Sequence, residues 1–302
     1  MKLSELLPVF LPQYLFSVEN EQDFETLGLV ISPVQRSFCT FVDTEKSIKD
    51  VSEYATMVLT TADLAPFLVK EGRGVCITEA PRTVFFRLHN ALSGQDTYVR
   101  KKFSTQIGSG CKIHPTAIIA DANVVIADNV IIEEYTVIRE NVTIGEGSIV
   151  RAGVKLGFSD FEFKREGDAL FGVEHYGGVK IGREVEIQSN TCVNKALYPW
   201  DDTVVGDYCK LDMLVQISHG VKIGDGTMIV GLSGVGGRTE IGENCWIGYG
   251  STLRNGIHIG AGARINMGAV VSRDVECGQA VTGNFAIEHQ RFMKNLKDSI
   301  KE

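Results

Sequence analysis

Hydrophobic residues recur along this chain with a period of six. From Val205 to Val271 an aliphatic side chain takes every sixth position: Val205, Leu211, Ile217, Ile223, Ile229, Val235, Ile241, Ile247, Leu253, Ile259, Ile265 and Val271. A helix would return its apolar face every 3.6 residues or so, and a half-buried strand every second residue. A six-residue period predicts a parallel β-helix, in which each hexad makes one short strand and one corner and three hexads close a coil. The aliphatic residue then faces inward. The fifth residue of each hexad is small or β-branched (Cys209, Val215, Val221, Thr227, Ser233, Thr239, Cys245 and Ser251) and is expected to face the same narrow interior. Gly often follows the aliphatic residue, as at Gly206, Gly224, Gly236, Gly242, Gly248 and Gly260, where a sharp bend is expected. The spacing leaves the handedness open.

The pattern begins earlier, at Ile107, Ile113 and Ile119, slips by one residue, and continues from Ile126 to Leu156. It breaks over Gly157–Lys180, a loop carrying Phe158, Phe161, Phe163, Phe171 and Tyr176, and resumes at Ile181, Ile187 and Val193. So aromatic a loop is expected to be either a lid over a site or packing between subunits. A smaller interruption, Lys195–Asp202, keeps the six-residue count. Residues 1–105 lack the hexads and read as a small α/β domain. Its predicted strands are Leu27–Ile31, Phe38–Val42, Ala55–Thr60 and Gly74–Thr78, and its predicted helices are Lys46–Glu53 and Pro81–Leu92, with Ser4 capping a short helix at the start. Arg100–Lys102 reads as a solvated joint. The β-helix is assigned to 106–283 and a terminal helix to 284–302, with Phe292, Leu296 and Ile300 on one side and a basic row of Arg291, Lys294, Lys297 and Lys301. The predicted class is thus mainly β, with a small N-terminal α/β domain and a C-terminal α-helix.

Composition narrows the partners. A formal net charge of -8 argues against nucleic acid. Seven Cys in no paired spacing and no CxxC fit a reducing cytoplasm, and no bound metal is expected. Glu5 and Pro8 interrupt any signal-peptide core, and no apolar run of about 18 residues spans a membrane.

Of six His, His219 is placed most tellingly. It is the third residue of its hexad, at a corner, where a side chain is expected to point outward. With eighteen residues to a coil, Gly237 stacks above it and Asp201 below, at a β-ladder spacing of roughly 4.8 Å. An imidazole between a carboxylate and a backbone N–H suits a general base, its orienter and an oxyanion donor. Asp212, beside the same segment, is the other candidate orienter.

The segments Ile187–Val193, Asp201–Thr203, Val215–Gln216–Ile217–Ser218–His219–Gly220 and Gly231–Gly237 resemble the N-acyltransferases of lipid A synthesis, which acylate the 2-amine of a UDP-3-O-acylglucosamine. The resemblance extends over the N-terminal domain, the Gly157–Phe158 loop start and the Val281–Ala286 exit. It implies a left-handed parallel β-helix, a homotrimer with sites between subunits, His219 as base and the Gly237 amide as oxyanion donor. It also implies candidate substrate-binding positions at Phe41, Asp43, Phe158, His175 and Asn194. Three departures stand out. The family's second active-site His aligns with Gly256, and His258 falls two residues later. Its nucleobase-holding Phe, Asn and Tyr align with Thr40, Asp43 and Lys46, with Phe41 one residue away. Its acidic–basic pair becomes Asn194–Lys195, with extra residues around Pro199–Trp200.

The resemblance therefore implies acyl transfer from a thioester to a nucleotide-linked amino sugar, with no bound cofactor. The donor stays open. Acyl carrier protein would dock on the basic row with Arg291 and Lys294, whereas Arg264 and Arg273 would serve the phosphates of coenzyme A. The nearest alternative is an acetyl-CoA-dependent nucleotide-amino-sugar N-acetyltransferase for O-antigen or capsule. A metal hydratase would need three converging His, and a non-catalytic scaffold would show no thioester-dependent turnover.

Overall fold

The computed structural model of the chain describes residues 1–283 and 286–300, and Ile300 by its backbone. The predicted C-terminal end Lys301–Glu302 and positions 284–285 lie outside the described residues. The chain divides into two units. The first comprises Met1–Ser104, Ser159–Gly178 and Lys195–Asp202; the second comprises Thr105–Phe158, Val179–Asn194 and Thr203–Glu302.

The second unit is a parallel β-helix with three faces. The first face runs from Gln106–Ile107 to His258–Ile259, the second from Lys112–Ile113 to Ala280–Val281, and the third from Ile118–Ile119 to Val270–Val271. Successive rungs pair in the register that the hexads require, for example Ile217↔Val235 and Val235↔Leu253. The inward aliphatics from Ile126 to Val271 form one buried column. Each contributes roughly 1.5–3 kcal/mol of burial. At the N-terminal end the column opens, and Ile107 is half exposed.

Two local expectations are revised. The glycines after the inward residue are there for close approach, not for a bend. A Cβ on Gly236 would come within 2.5 Å of the Asn255 backbone nitrogen, so only hydrogen fits between rungs. The bend falls two residues later, at positive φ, where Gly220 sits at +69° and even Leu214 and Arg238 adopt about +60°. Small residues at the fifth place do more than save space. Thr227 Oγ1 donates to the Gly242 carbonyl, Ser233 Oγ to Gly248 and Thr239 Oγ1 to Arg254, each on the next rung at 2.9 Å. Buried hydroxyls are thereby satisfied inside an apolar column.

The first unit holds a five-stranded sheet of β1 (Ser17–Glu19), β2 (Thr26–Leu27), β3 (Phe38–Val42), β4 (Ala55–Thr60) and β5 (Gly74–Ile77), in the order β1-β5-β4-β3-β2. Strands β2 to β5 pair in parallel, and β1 runs antiparallel to β5. Helix α1 spans Leu3–Phe10, α2 Ala65–Lys70 and α3 Pro81–Ala91. Strand β1 and helix α2 carried no clear sequence signal, and the predicted Lys46–Glu53 helix is a 3-10 turn at Glu45–Asp50. Ser4 does not cap α1; its hydroxyl bonds Glu21.

The two interruptions of the hexads belong to this unit. The longer one forms a hairpin, Phe163–Glu166 with Ala169–Gly172, rather than a free loop. Its Glu166 carboxylate receives the Tyr14 hydroxyl and, at 2.5 Å, the Arg87 guanidinium. Asn90 of α3 bonds Gly172 and Glu174 of the same segment. In the shorter one the Trp200 indole donates to the Leu27 carbonyl at 2.8 Å, and Tyr198 stacks on Trp200 at 5.5 Å. Arg100, predicted to be a solvated joint, instead donates to the Pro199 and Asp201 carbonyls and to the Asp202 carboxylate. A planar guanidinium can serve three acceptors at once, which explains Arg at this position. Helix α4 spans His289–Ile300, with Arg291, Lys294 and Lys297 exposed; Lys301 lies outside the described residues.

Candidate active site

Residues eighteen apart stack along each edge of the β-helix. After the first face come Asp207, Asp225 and Glu243, whose carbonyls receive the amides of the next rung. After the second face come Met213, Leu214, Leu232, Tyr249 and Met267, all more than half exposed. The third edge carries His219–Gly220, Gly237–Arg238 and Asn255–Gly256.

On the third edge His219 and Gly237 are neighbours on successive rungs. The Arg238 amide donates to the His219 carbonyl at 2.9 Å. A Cβ on Gly237 would lie 2.6 Å from Cε1 and Nε2 of the imidazole, so the ring rests on the bare Cα of this glycine. His219 does not project into solvent as its corner position suggests; it is 7% exposed. A ring packed against backbone in this way is restricted in orientation.

Neighbouring side chains on the third face are polar. Gln216 Nε2 donates to Ser218 Oγ at 2.7 Å, and on the rung below the Cys192 thiol donates to Asn194 Oδ1 at 3.1 Å. Val193 pairs with Ile217, which sets Asn194 beside Ser218. Phe158 pairs with Asn194 and carries the Arg139 guanidinium over its ring at 4.8 Å. The proposed substrate residues Phe158 and Asn194 therefore meet on the face that leads to His219. Gln216 and Ser218 stand in the segment that carries the resemblance but were given no role from sequence, and Cys192 was not singled out. The signal was present in the register: Val193 and Ile217 lie 24 residues apart because the interruption adds to the coil.

Asp212 lies on the second edge, and its two oxygens take the Met213 amide at 2.7 Å and the Gly231 amide at 2.9 Å. It joins two rungs there and does not orient the imidazole. Asp201 belongs to the first unit, and its Oδ1 accepts the Asp202 amide at 2.9 Å. Phe41 is buried between Phe85 and Phe86, at ring distances of 5.1 and 5.8 Å, and offers no open face for a base. Asp43 is exposed after β3, and His175 is buried in the first unit with Nδ1 at 3.1 Å from the Val173 carbonyl. Arg264 lies over Trp246 at 5.3 Å and bonds Asn266; Arg273, Arg291 and Lys294 are exposed. His258 opens the first-face strand His258–Ile259, with its ring 3.5 Å from the exposed Glu240. Among the described residues no group of three or more His, Cys, Asp and Glu could hold a metal ion.

The family described as "Bacterial transferase hexapeptide (six repeats)" matches residues 123–157, 202–237 and 238–273. The chain is 37% identical over 143 residues to the UDP-3-O-acylglucosamine N-acyltransferase of Delftia acidovorans, covering 47% of this chain and 42% of that protein. It is 34% identical over 149 residues to the enzyme of the same name from Albidiferax ferrireducens, covering 49% of this chain and 45% of that protein. It thus spans less than half the length of these curated relatives. Among solved structures, the UDP-N-acetylglucosamine acyltransferase from Campylobacter jejuni superposes with a TM-score of 0.54 at 19% identity, over 66% of this chain and 79% of that one. That likeness concerns the β-helix fold alone. No helix among the described residues is long and apolar enough to cross a membrane.

Proposed function

We propose that this protein is an N-acyltransferase that moves an acyl group from a thioester to the amine of a nucleotide-linked amino sugar. The observation that carries the reading is the His219 imidazole packed on Gly237 at one edge of a hexapeptide β-helix. The similarity to UDP-3-O-acylglucosamine N-acyltransferases supports the substrate class. In the proposed reaction the neutral amine nitrogen attacks the thioester carbonyl. His219 removes the proton that the attacking nitrogen must lose. The tetrahedral oxyanion is stabilised by the Gly237 amide, a donor worth about 10²–10³ in rate. The carbon–sulfur bond then breaks, the acyl group stays on nitrogen as an amide, and the imidazolium returns its proton to the departing thiolate.

The acyl donor is acyl carrier protein in this reading. The exposed Arg291, Lys294 and Lys297 of α4, with Phe292 and Leu296 about half exposed beside them, suit an acidic protein surface. A homotrimer is proposed on the apolar second edge. The burial of Phe41 favours a second reading, an acetyl-CoA-dependent N-acetyltransferase acting on a different nucleotide sugar. A thiol-release assay crossing UDP- and dTDP-amino sugars with acyl carrier protein thioesters and acetyl-CoA separates the two. Turnover with no thioester at all, or none with any amino sugar, would reject both.

A further inference from the structure

One recurring bond ties the edges of the β-helix together. The amide of the fourth hexad residue donates to the carbonyl at the corner one rung below: Gly226 to Asp207, Leu232 to Met213, Arg238 to His219, Asn244 to Asp225, Gly250 to Gly231 and Gly256 to Gly237. Gly220 holds the fourth place of the hexad that carries His219, and it departs from this rule. Its amide donates instead to the side-chain hydroxyl of Thr203, at 2.9 Å. Thr203 is wholly buried and occupies a fifth place, where Thr227 and Thr239 send their hydroxyls to carbonyls of the next rung. At this rung a replaceable side chain does the work that the main chain does elsewhere.

The substitution falls on one particular peptide. The carbonyl of His219 and the amide of Gly220 are two ends of the same planar unit. Arg238 holds the first from above, and Thr203 holds the second from below. Together they set the tilt of that plane, and with it the direction in which the His219 side chain leaves the backbone. Loss of the lower tie would let the plane rock about the upper one. The imidazole has little room to accommodate this, because it rests on Gly237.

We propose that Thr203 is a positioning residue for the His219 base, acting through the Gly220 amide. The inference rests on the reading of His219 as the base. Thr203→Val keeps the volume and removes the acceptor; Thr203→Ser keeps the acceptor. Two readouts need no substrate: hydrogen exchange at the Gly220 amide, and the Cε1–H resonance of His219 in histidine-labelled full-length protein. T203V should speed exchange at Gly220 by about five- to tenfold, as expected for one lost hydrogen bond. It should also displace the His219 resonance. With UDP-3-O-acylglucosamine and an acyl carrier protein thioester, kcat should fall by about 10- to 100-fold, as expected for a small misplacement of a reacting group, with KM changed less than about threefold. T203S should stay within about threefold of the parent throughout.

If T203V does not fold, Thr203→Cys, whose thiol is a weak acceptor, takes its place. Exchange and resonance unchanged in the acceptor-poor variant would overturn the proposal, as would a T203S protein as impaired as T203V. A purely structural role would lower Tm and leave the His219 resonance in place, which also counts against it. Turnover that survives in His219→Ala would instead sink the base assignment, while leaving the exchange result at Gly220 standing.

Discussion

His219 and Gly237 make a pair in which each residue is required by the other. The imidazole occupies the space a Cβ at 237 would need, with 2.6 Å to two ring atoms. Gly237→Ala should therefore displace the ring without breaking a rung, since Gly237 is not at positive φ. We expect thiol release to fall by about 10² in G237A, with a Tm change of only a few degrees. His219→Ala should cost about 10²–10⁴ in kcat. A G237A enzyme with parental kcat would mean that the ring and the reacting atoms do not depend on this contact. The first unit holds another buried histidine. Buried His89 gives its Nε2 proton to the Glu174 carbonyl at 2.8 Å, which leaves Nδ1 to accept the Tyr98 hydroxyl at 2.7 Å. Burial pushes its pKa down to about 4. The unfolded chain, with a value of roughly 6.5, binds the proton first as pH falls. Stability contributed by neutral His89 is complete above about pH 6.5 and declines as pH drops toward 4, by up to about 3 kcal/mol. Denaturant midpoints measured from pH 7 to pH 4 should fall in the parent and flatten in His89→Gln.

Elements of this protein are short, and side chains at their ends hold them. Two-residue strands gain little alone, so each rung depends on the rungs beside it. Fifth-place hydroxyls such as Thr227, Ser233 and Thr239 each add a bond to the next rung, at about 1 kcal/mol apiece. The two interruptions are organised differently, through single polar residues of the first unit. Arg100 serves two carbonyls and a carboxylate of the 195–202 segment. Arg100→Leu should leave that segment unheld and expose the backbone near Trp200 to limited proteolysis, at a cost of about 2–3 kcal/mol for charge-assisted bonds. An R100L protein as resistant as the parent would show that Trp200 and Tyr198 suffice. The hexad count predicted where the β-helix stops and restarts. It could not say what the interruptions fold against, since Tyr14, Arg87 and Glu166 lie far apart in sequence and carry no shared period.

At the scale of the whole molecule, the three edges of the β-helix divide the work. One is carboxylate-rich, one carries the His–Gly pair, and one is an apolar ridge of Met213, Leu214, Leu232, Tyr249 and Met267. Large apolar side chains stacked over consecutive rungs are a poor solvent surface and a good subunit surface. If the proposed homotrimer forms along this ridge, Leu232→Asp should shift the sedimentation coefficient from trimer toward monomer and abolish turnover with it. A Leu232→Asp protein that sediments as the parent does would remove the ridge from the interface.

What the sequence determined by itself was the β-helix, its rung register and the stacking of His219 beneath Gly237. A strict period is a local rule repeated many times, and equal spacing turns it directly into vertical neighbours. The sequence also carried the resemblance that suggested acyl transfer. Only the tertiary structure decided what broke the period. It buried Phe41 among Phe85 and Phe86, drew the aromatic loop into a hairpin on the first unit, put Asp212 to work on backbone amides and passed the Gly220 amide to Thr203. These outcomes depend on which unpaired donors and acceptors meet once the chain has folded, and no spacing along the chain encodes such meetings.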